Sequence, residues 1–208
     1  TPDLICLTGD YISSTLPSAQ EAARYSRLLR ILSDAAPCAA CLGNHDGGQW
    51  ASRFGAGDSW EEAAGILSDA NIRCLVNETT MYQCRGQQVV VAGTADLWSA
   101  PVAFDETNQN LLHTAAPLIM LAHNPDTKDA IANLPWDIML SGHTHGGQLI
   151  YPFSNKTPFS VVRDRRFMAG LHRWNDRWLH VSRGLGTWRG VRINCPPEMT
   201  LLSLESCN

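Results

Sequence analysis

The chain has 208 residues, 44% of them apolar and 17% charged, with a net charge of −4. This is long enough for one domain with a sizeable core. The composition excludes a disordered chain, the acidic balance excludes broad coating of nucleic acid, and no apolar run approaches the ~20 residues of a membrane span. An anionic substrate stays open, because bound cations can set the charge of a site locally.

The opening "TPDLICLTGD" carries no Met and reaches an apolar, β-leaning run almost at once. It reads as a chain entered partway into a domain, with any targeting segment upstream of Thr1. A cytoplasmic or membrane-associated location is the expectation. Ala22, Tyr25, Leu28, Leu29 and Leu32 recur at helical spacing between Pro17 and Asp34. After Pro37, "CAACLGNHD" is a second strand ending in a polar cluster. Ser59-Trp60-Glu61-Glu62 has the form of a capping box, predicting a helix to about Asp69 that Asn71 closes.

From Ile72 the texture changes to short strands: "IRCLVN", "TTMYQC" and "QQVVVAGT", with Arg85-Gly86 as a hairpin turn. "PLIMLAHNPD" and "WDIMLSGHTH" are two more apolar runs, each ending in histidine. A loop rich in Pro and Arg, a hairpin around Asn175-Asp176 and the segment "EMTLLSLE" complete the chain. The mixture predicts an α/β fold, two layers of sheet with helices outside, in a single domain over residues 1–208.

Seven cysteines, at 6, 38, 41, 74, 84, 195 and 207, form no closed disulfide framework, and several, lying in apolar stretches, read as small buried hydrophobes. His143 and His145, one residue apart among glycines, are either a polar turn or, on an extended backbone, two imidazoles aimed at one centre. The wider pattern bears on that choice. Four apolar strands each end in a metal-capable residue: Asp10, then Asn44-His45-Asp46, then His123, then His143 and His145. In open α/β sheets ligands bind beyond the carboxyl ends of strands, and carboxylate, amide oxygen and imidazole suit Mn, Fe, Zn or similar ions.

"GD", "GNHD", "H" and "GHTH", in this order, resemble the calcineurin-like metallophosphoesterases. "GHTHGGQ", "AHNPD" and "SRGLGT…RINCPPEMTLLSL" are more narrowly similar to the bacterial YaeI/YkuE-type phosphodiesterases. The resemblance implies the αββα fold of that family and a centre of two divalent metal ions (Mn, Fe, Zn or Ni). Asp10 would bridge the two; Asn44, His123 and His143 would complete one ion's protein ligands, and His145 would bind the other. A bridging hydroxide would attack phosphorus, and His45 would act as general acid toward the leaving oxygen. Asp46 would either orient His45 or hold its loop.

The implied activity is phosphodiester hydrolysis. One alternative is a UDP-2,3-diacylglucosamine pyrophosphatase of lipid A synthesis, for which a deep apolar groove rimmed by arginines would speak; the other is a catalytically impaired interaction module of the same fold. The implied partner is a small molecule or lipid carrying a phosphodiester or pyrophosphate. Arg163, Arg165 and Arg166 form either a solvated face or a peripheral contact with anionic headgroups. "RGLGT" is either a structural glycine loop or a donor of backbone N–H groups to phosphate. His113, His172 and His180 read as surface or structural residues. Two departures stand out. The family's first motif, D-x-H, has no counterpart before Asp10, so the fold is expected to lack its first strand. Asp10 is followed by Tyr11-Ile12-Ser13 rather than the continuation found in protein Ser/Thr phosphatases.

Overall fold

The fold was analysed in a computed structural model, which describes residues 1–13, 15–55, 57–153 and 156–205; Cys207 lies outside them. The elements run β1 Ile5–Leu7, α1 Ala19–Ala35, β2 Cys38–Ala40, α2 Gly48–Ala51, α3 Glu61–Asp69, β3 Arg73–Cys74, β4 Glu78–Cys84 and β5 Gln87–Gly93. They continue with α4 Glu106–Leu112, β6 Leu118–Leu121, α5 Thr127–Ala130, β7 Ile138–Ser141, β8 Gly170–Trp174 and β9 Arg177–Val181.

Two sheets form. One is parallel, in the order β1-β2-β3, and the other is six-stranded, in the order β4-β5-β6-β7-β9-β8. In the larger sheet β5, β6, β7 and β9 run parallel, while β4 and β8 pair antiparallel at its edges. The period of two along each strand sorts the core into layers. Leu118 and Met120 face a cluster with Phe104, Leu112, Ile131 and Trp136 on the outer side of the large sheet. Ile119 and Leu121 point the other way and pack with Ala39 and Cys41 between the sheets. Cys38 and Ala40 turn outward beneath Ala63, Ile66 and Leu67 of α3, with Leu29 and Leu32 of α1 packed alongside.

Local signals account for several of these boundaries. Ser18 caps α1 reciprocally with Glu21, whose side chain accepts from the Ser18 backbone N–H. Both hairpins fall where turn residues predicted them, with positive φ at Arg85, Gly86 and Asn175. The capping box expected at Ser59 does not form. The cap of α3 is Trp60, and Ser59 accepts only from the Glu61 N–H. Trp60 is packed so closely over Gly48 that a Cβ there would meet its ring at 3.0 Å. Tertiary packing thus sets the helix start in place of the cap. "IRCLVN" shrinks to the two-residue β3.

The cysteines behave as apolar side chains. Burial pushes the thiols of Cys6 and Cys74 up to about 12, and the buried Cys41 thiol lies well above its ordinary value for the same reason. Iodoacetamide at pH 8 is therefore expected to label Cys6, Cys41 and Cys74 only after denaturation, as peptide mass mapping would show. Rapid labelling of the folded chain would mean that this layer opens.

Candidate metal centre

Four chain segments bring polar groups to one end of the sandwich. Asp10 follows β1, Asn44 follows β2, His123 follows β6 and His143 follows β7. Each of these pairs of strands is parallel, so within each sheet the loops leave at the same end. Asp10, His123 and His143 offer ligand atoms that all lie within 4.8 Å of one another. His123 Nε2 stands 3.1 Å from Asp10 Oδ2 and 3.2 Å from His143 Nδ1, while His123 Nδ1 faces the Thr8 carbonyl at 2.6 Å.

The electrostatics follow from this crowding. Burial opposes the charge on Asp10, but His123 and His45 outweigh it and hold the carboxyl well below the usual range. Burial also pulls the His123 imidazole down, yet the adjoining Asp10 and the nearby Asp96 raise it to about 9. Burial and the neighbouring His123 drive His143 down to about 3, which keeps its ring neutral with a lone pair to offer. A carboxylate beside imidazoles is a donor set for a borderline divalent ion.

Two further atoms fit the same reading. Asn44, 1% exposed, has its Oδ1 buried without a hydrogen-bond partner, and so has His143 at Nε2. An orphaned buried acceptor costs ~1–3 kcal/mol unless something else satisfies it. Asn44→Leu is therefore expected to leave the thermal midpoint in chelator unchanged or raised. It should lose at least about tenfold in Mn²⁺ affinity. Equal affinity by titration calorimetry would remove Asn44 from the ligand set.

The histidine pair does not converge through an extended backbone. His143 and His145 both take positive φ, 64° and 49°, in a tight turn after β7 that Thr144 and Gly142 close. His145 lies outside the tight three-residue group, with its Nδ1 turned to the Gly186 carbonyl at 3.3 Å. Gly146 is required here, because a Cβ would meet Arg183 and the Cys195 sulfur below 3.0 Å. His45 donates its backbone N–H to Asp10 Oδ1 at 3.0 Å, and its ring meets Trp50 edge-on at 4.5 Å.

Supporting residues surround the site, some from the motifs and some outside them. Asp46 accepts four backbone N–H groups, from Gly43, Asp10, Tyr11 and Ile12, so it holds the loops on both sides of the site. Gly43 must be bare, since a Cβ would collide with Asp10. Arg192 ties the carbonyls of His145, Arg183, Gly184 and Gly186 together. The "RGLGT" loop thus turns carbonyls inward to a guanidinium, and Gln148 grips Trp188 N–H and C=O at 2.7 Å each. Asp96 is 3% exposed with Oδ2 unpartnered. It follows β5, so the logic of polar residues at strand ends would have found it. Trp98 meets the His143 ring at 4.5 Å.

The remaining candidates stand apart. Arg166 is exposed and paired with Asp164 at 2.6 Å, and Arg165 bonds the Thr157 carbonyl. His172 bonds the Ala169 carbonyl, His180 is buried in β9, and His113 ends α4.

Two packed sheets with a carboxylate and imidazoles at their strand ends that could hold a metal ion point to a metal-dependent phosphoesterase. The sequence model of the calcineurin-like phosphoesterase family matches residues 1–147, and the chain belongs to that family. It is 39% identical over 207 residues to "Phosphodiesterase YaeI" of Escherichia coli, covering 98% of this chain and 70% of that one. It is 26% identical to "UDP-2,3-diacylglucosamine pyrophosphatase LpxG" of Chlamydia trachomatis (97% and 74% covered). To "Uncharacterized metallophosphoesterase YkuE" of Bacillus subtilis it is 29% identical (100% and 69% covered). Among solved structures, the Haemophilus influenzae NAD nucleotidase NadN has the same fold. Its TM-score is 0.50 at 17% identity over 87% of this chain, which spans 36% of that longer one.

Proposed function

We propose that this chain hydrolyses phosphodiesters at a centre of two divalent ions. Asp10, Asn44, His123 and His143 would hold the first, and Asp10 with His145 would face the second. Ions bound there supply charge stabilisation to the phosphoryl oxygens and an activated water as nucleophile. Hydrolysis breaks the P–O bond to the departing alcohol, whose oxygen takes a proton from His45, while water supplies the oxygen that replaces it on phosphorus. His45 is suited to this by position: its backbone is pinned to Asp10 and its ring is braced by Trp50.

The observation that carries the reading is the close group of Asp10, His123 and His143, together with the orphaned Oδ1 of Asn44, whose neighbour Gly43 packs against Asp10 and His123. Similarity to a phosphodiesterase over 98% of the chain supports diesters as the substrate class.

The pyrophosphatase alternative rests on the likeness to LpxG. The clefts lined by Arg73, Asn77 and Asn108, and by Pro37, Ile72 and Tyr82, contain none of the site residues. The identity to the phosphodiesterase, 39% against 26% for LpxG, favours diesters. Among the described residues no helix is long and apolar enough to cross a membrane.

The test is turnover of bis(p-nitrophenyl) phosphate against p-nitrophenyl phosphate with Mn²⁺, and after chelation. Diester preference abolished by chelator and restored by Mn²⁺ is expected. A monoester preference would overturn the substrate class, and absence of turnover with ions bound would favour the interaction module.

A further inference from the structure

The candidate centre is flanked on one side by a run of aromatic rings. Trp50 meets His45 at 4.5 Å and Phe54 at 4.6 Å, and it lies 6.1 Å from Trp98, which in turn meets His143 at 4.5 Å. The strip therefore reaches from the proposed proton donor to a proposed ion ligand. Its outer members are open, Trp98 38% and Phe54 56% exposed. A contiguous run of exposed apolar rings marks a binding surface, and ligand sites are commonly lined by aromatic side chains with a few polar groups. Two residues before Trp50, Gly48 lies against the Trp60 ring and Ser99, each 3.0 Å from where its Cβ would stand.

We infer that Trp50, Phe54 and Trp98 form a subsite for an aromatic leaving group of the phosphodiester. This rests on the hydrolytic reading above, and it adds the chemistry of the alcohol that departs. The side is set by His45. The group attached to the oxygen that His45 protonates must lie next to the His45 ring, where Trp50 is the adjoining ring and Phe54 extends the strip outward from it. The occupant is an aromatic ring because the contacts offered are ring faces and edges, which favour offset or edge-to-face partners at 4.5–7 Å beyond simple area burial.

The experiment compares methyl phenyl phosphate with the methyl ester of a fluorinated alkyl alcohol matched to phenol in acidity, so that leaving-group chemistry is held constant. In the Mn²⁺-loaded protein the phenyl ester is expected to be favoured about 3–10-fold in kcat/KM, chiefly through KM. Phe54→Ala and Trp98→Ala should erase that preference, and Trp98→Phe should keep it. An unchanged preference in both alanine variants would overturn the subsite. So would an equal loss on both esters, because the rings would then only prop His45 and His143. Binding of phenylphosphonate against methylphosphonate by calorimetry separates the two readings. If neither ester is cleaved but the phenyl compound binds more tightly, and Phe54→Ala abolishes the difference, the subsite stands and the hydrolytic assignment falls. Equal binding of the two phosphonates would overturn the subsite whatever the turnover.

Discussion

Replacing His45 with alanine is expected to lower turnover of a diester with a poorly acidic leaving alcohol by about 10²–10⁴-fold. The loss should be confined to the proton-transfer step. The backbone N–H of His45, which bonds Asp10 Oδ1, survives the substitution, so the ion ligands keep their arrangement. Metal content measured on the purified variant should equal that of the parent. With p-nitrophenolate as leaving group, which departs without a proton, the defect should shrink to about tenfold or less. A uniform loss on both substrates, or a variant short of metal, would assign His45 a structural part instead. Full activity on the poorly acidic alcohol would remove it from the mechanism altogether.

Asp46→Ala should produce the largest loss of stability. The carboxylate is 1% exposed and accepts from four backbone N–H groups at 2.6–2.9 Å, three in the loop after β1 and one in the loop after β2. Burial and the charge of Asp10 push Asp46 up, to about 7, against those N–H groups. Removing the carboxylate strands four donors at once, two of them in buried bonds and two in part-buried ones. Each stranded donor costs ~1–3 kcal/mol before relaxation, so a net loss of about 3–5 kcal/mol is expected. For a chain of this size that lowers the thermal midpoint by about 8–15 °C. Because Asp10 is aimed by the same loop, divalent-ion affinity should fall as well. Asp46→Asn should be intermediate on both measures: one oxygen can still accept while the amide nitrogen meets donors. A midpoint within about 3 °C of the parent for Asp46→Ala would show that the two loops are held by other contacts.

Much of this architecture was legible in the residues alone. Apolar runs ending in Asp10, Asn44, His123 and His143 are strands in the structure; parallel pairing aligns their ends within each sheet, and the Asp10–His123 contact joins the two sheets. The hairpins at Arg85-Gly86 and Asn175-Asp176 were equally readable, because positive φ in a two-residue turn is a local steric demand. The start of α3 was misread for the opposite reason. Ser59 has the right partner at the right spacing, yet the packing of Trp60 over Gly48 moves the cap by one residue.

The sequence by itself determined which chemical groups stand at the strand ends, and in what order, since strand period and turn chemistry act over a few residues. Only the tertiary structure decided how those groups are held and what surrounds them. It showed that His143 and His145 share a tight turn rather than an extended segment, and that Asp46 serves backbone N–H groups 34 to 36 residues away. It also placed Arg192 against the His145 carbonyl and Trp98 against His143. Those partners sit on different loops at the strand ends of one sheet, so strand order, not nearness in sequence, joins them. Contacts across distant segments depend on layer spacing and on side-chain volume throughout the core, and neither leaves a local pattern in the chain.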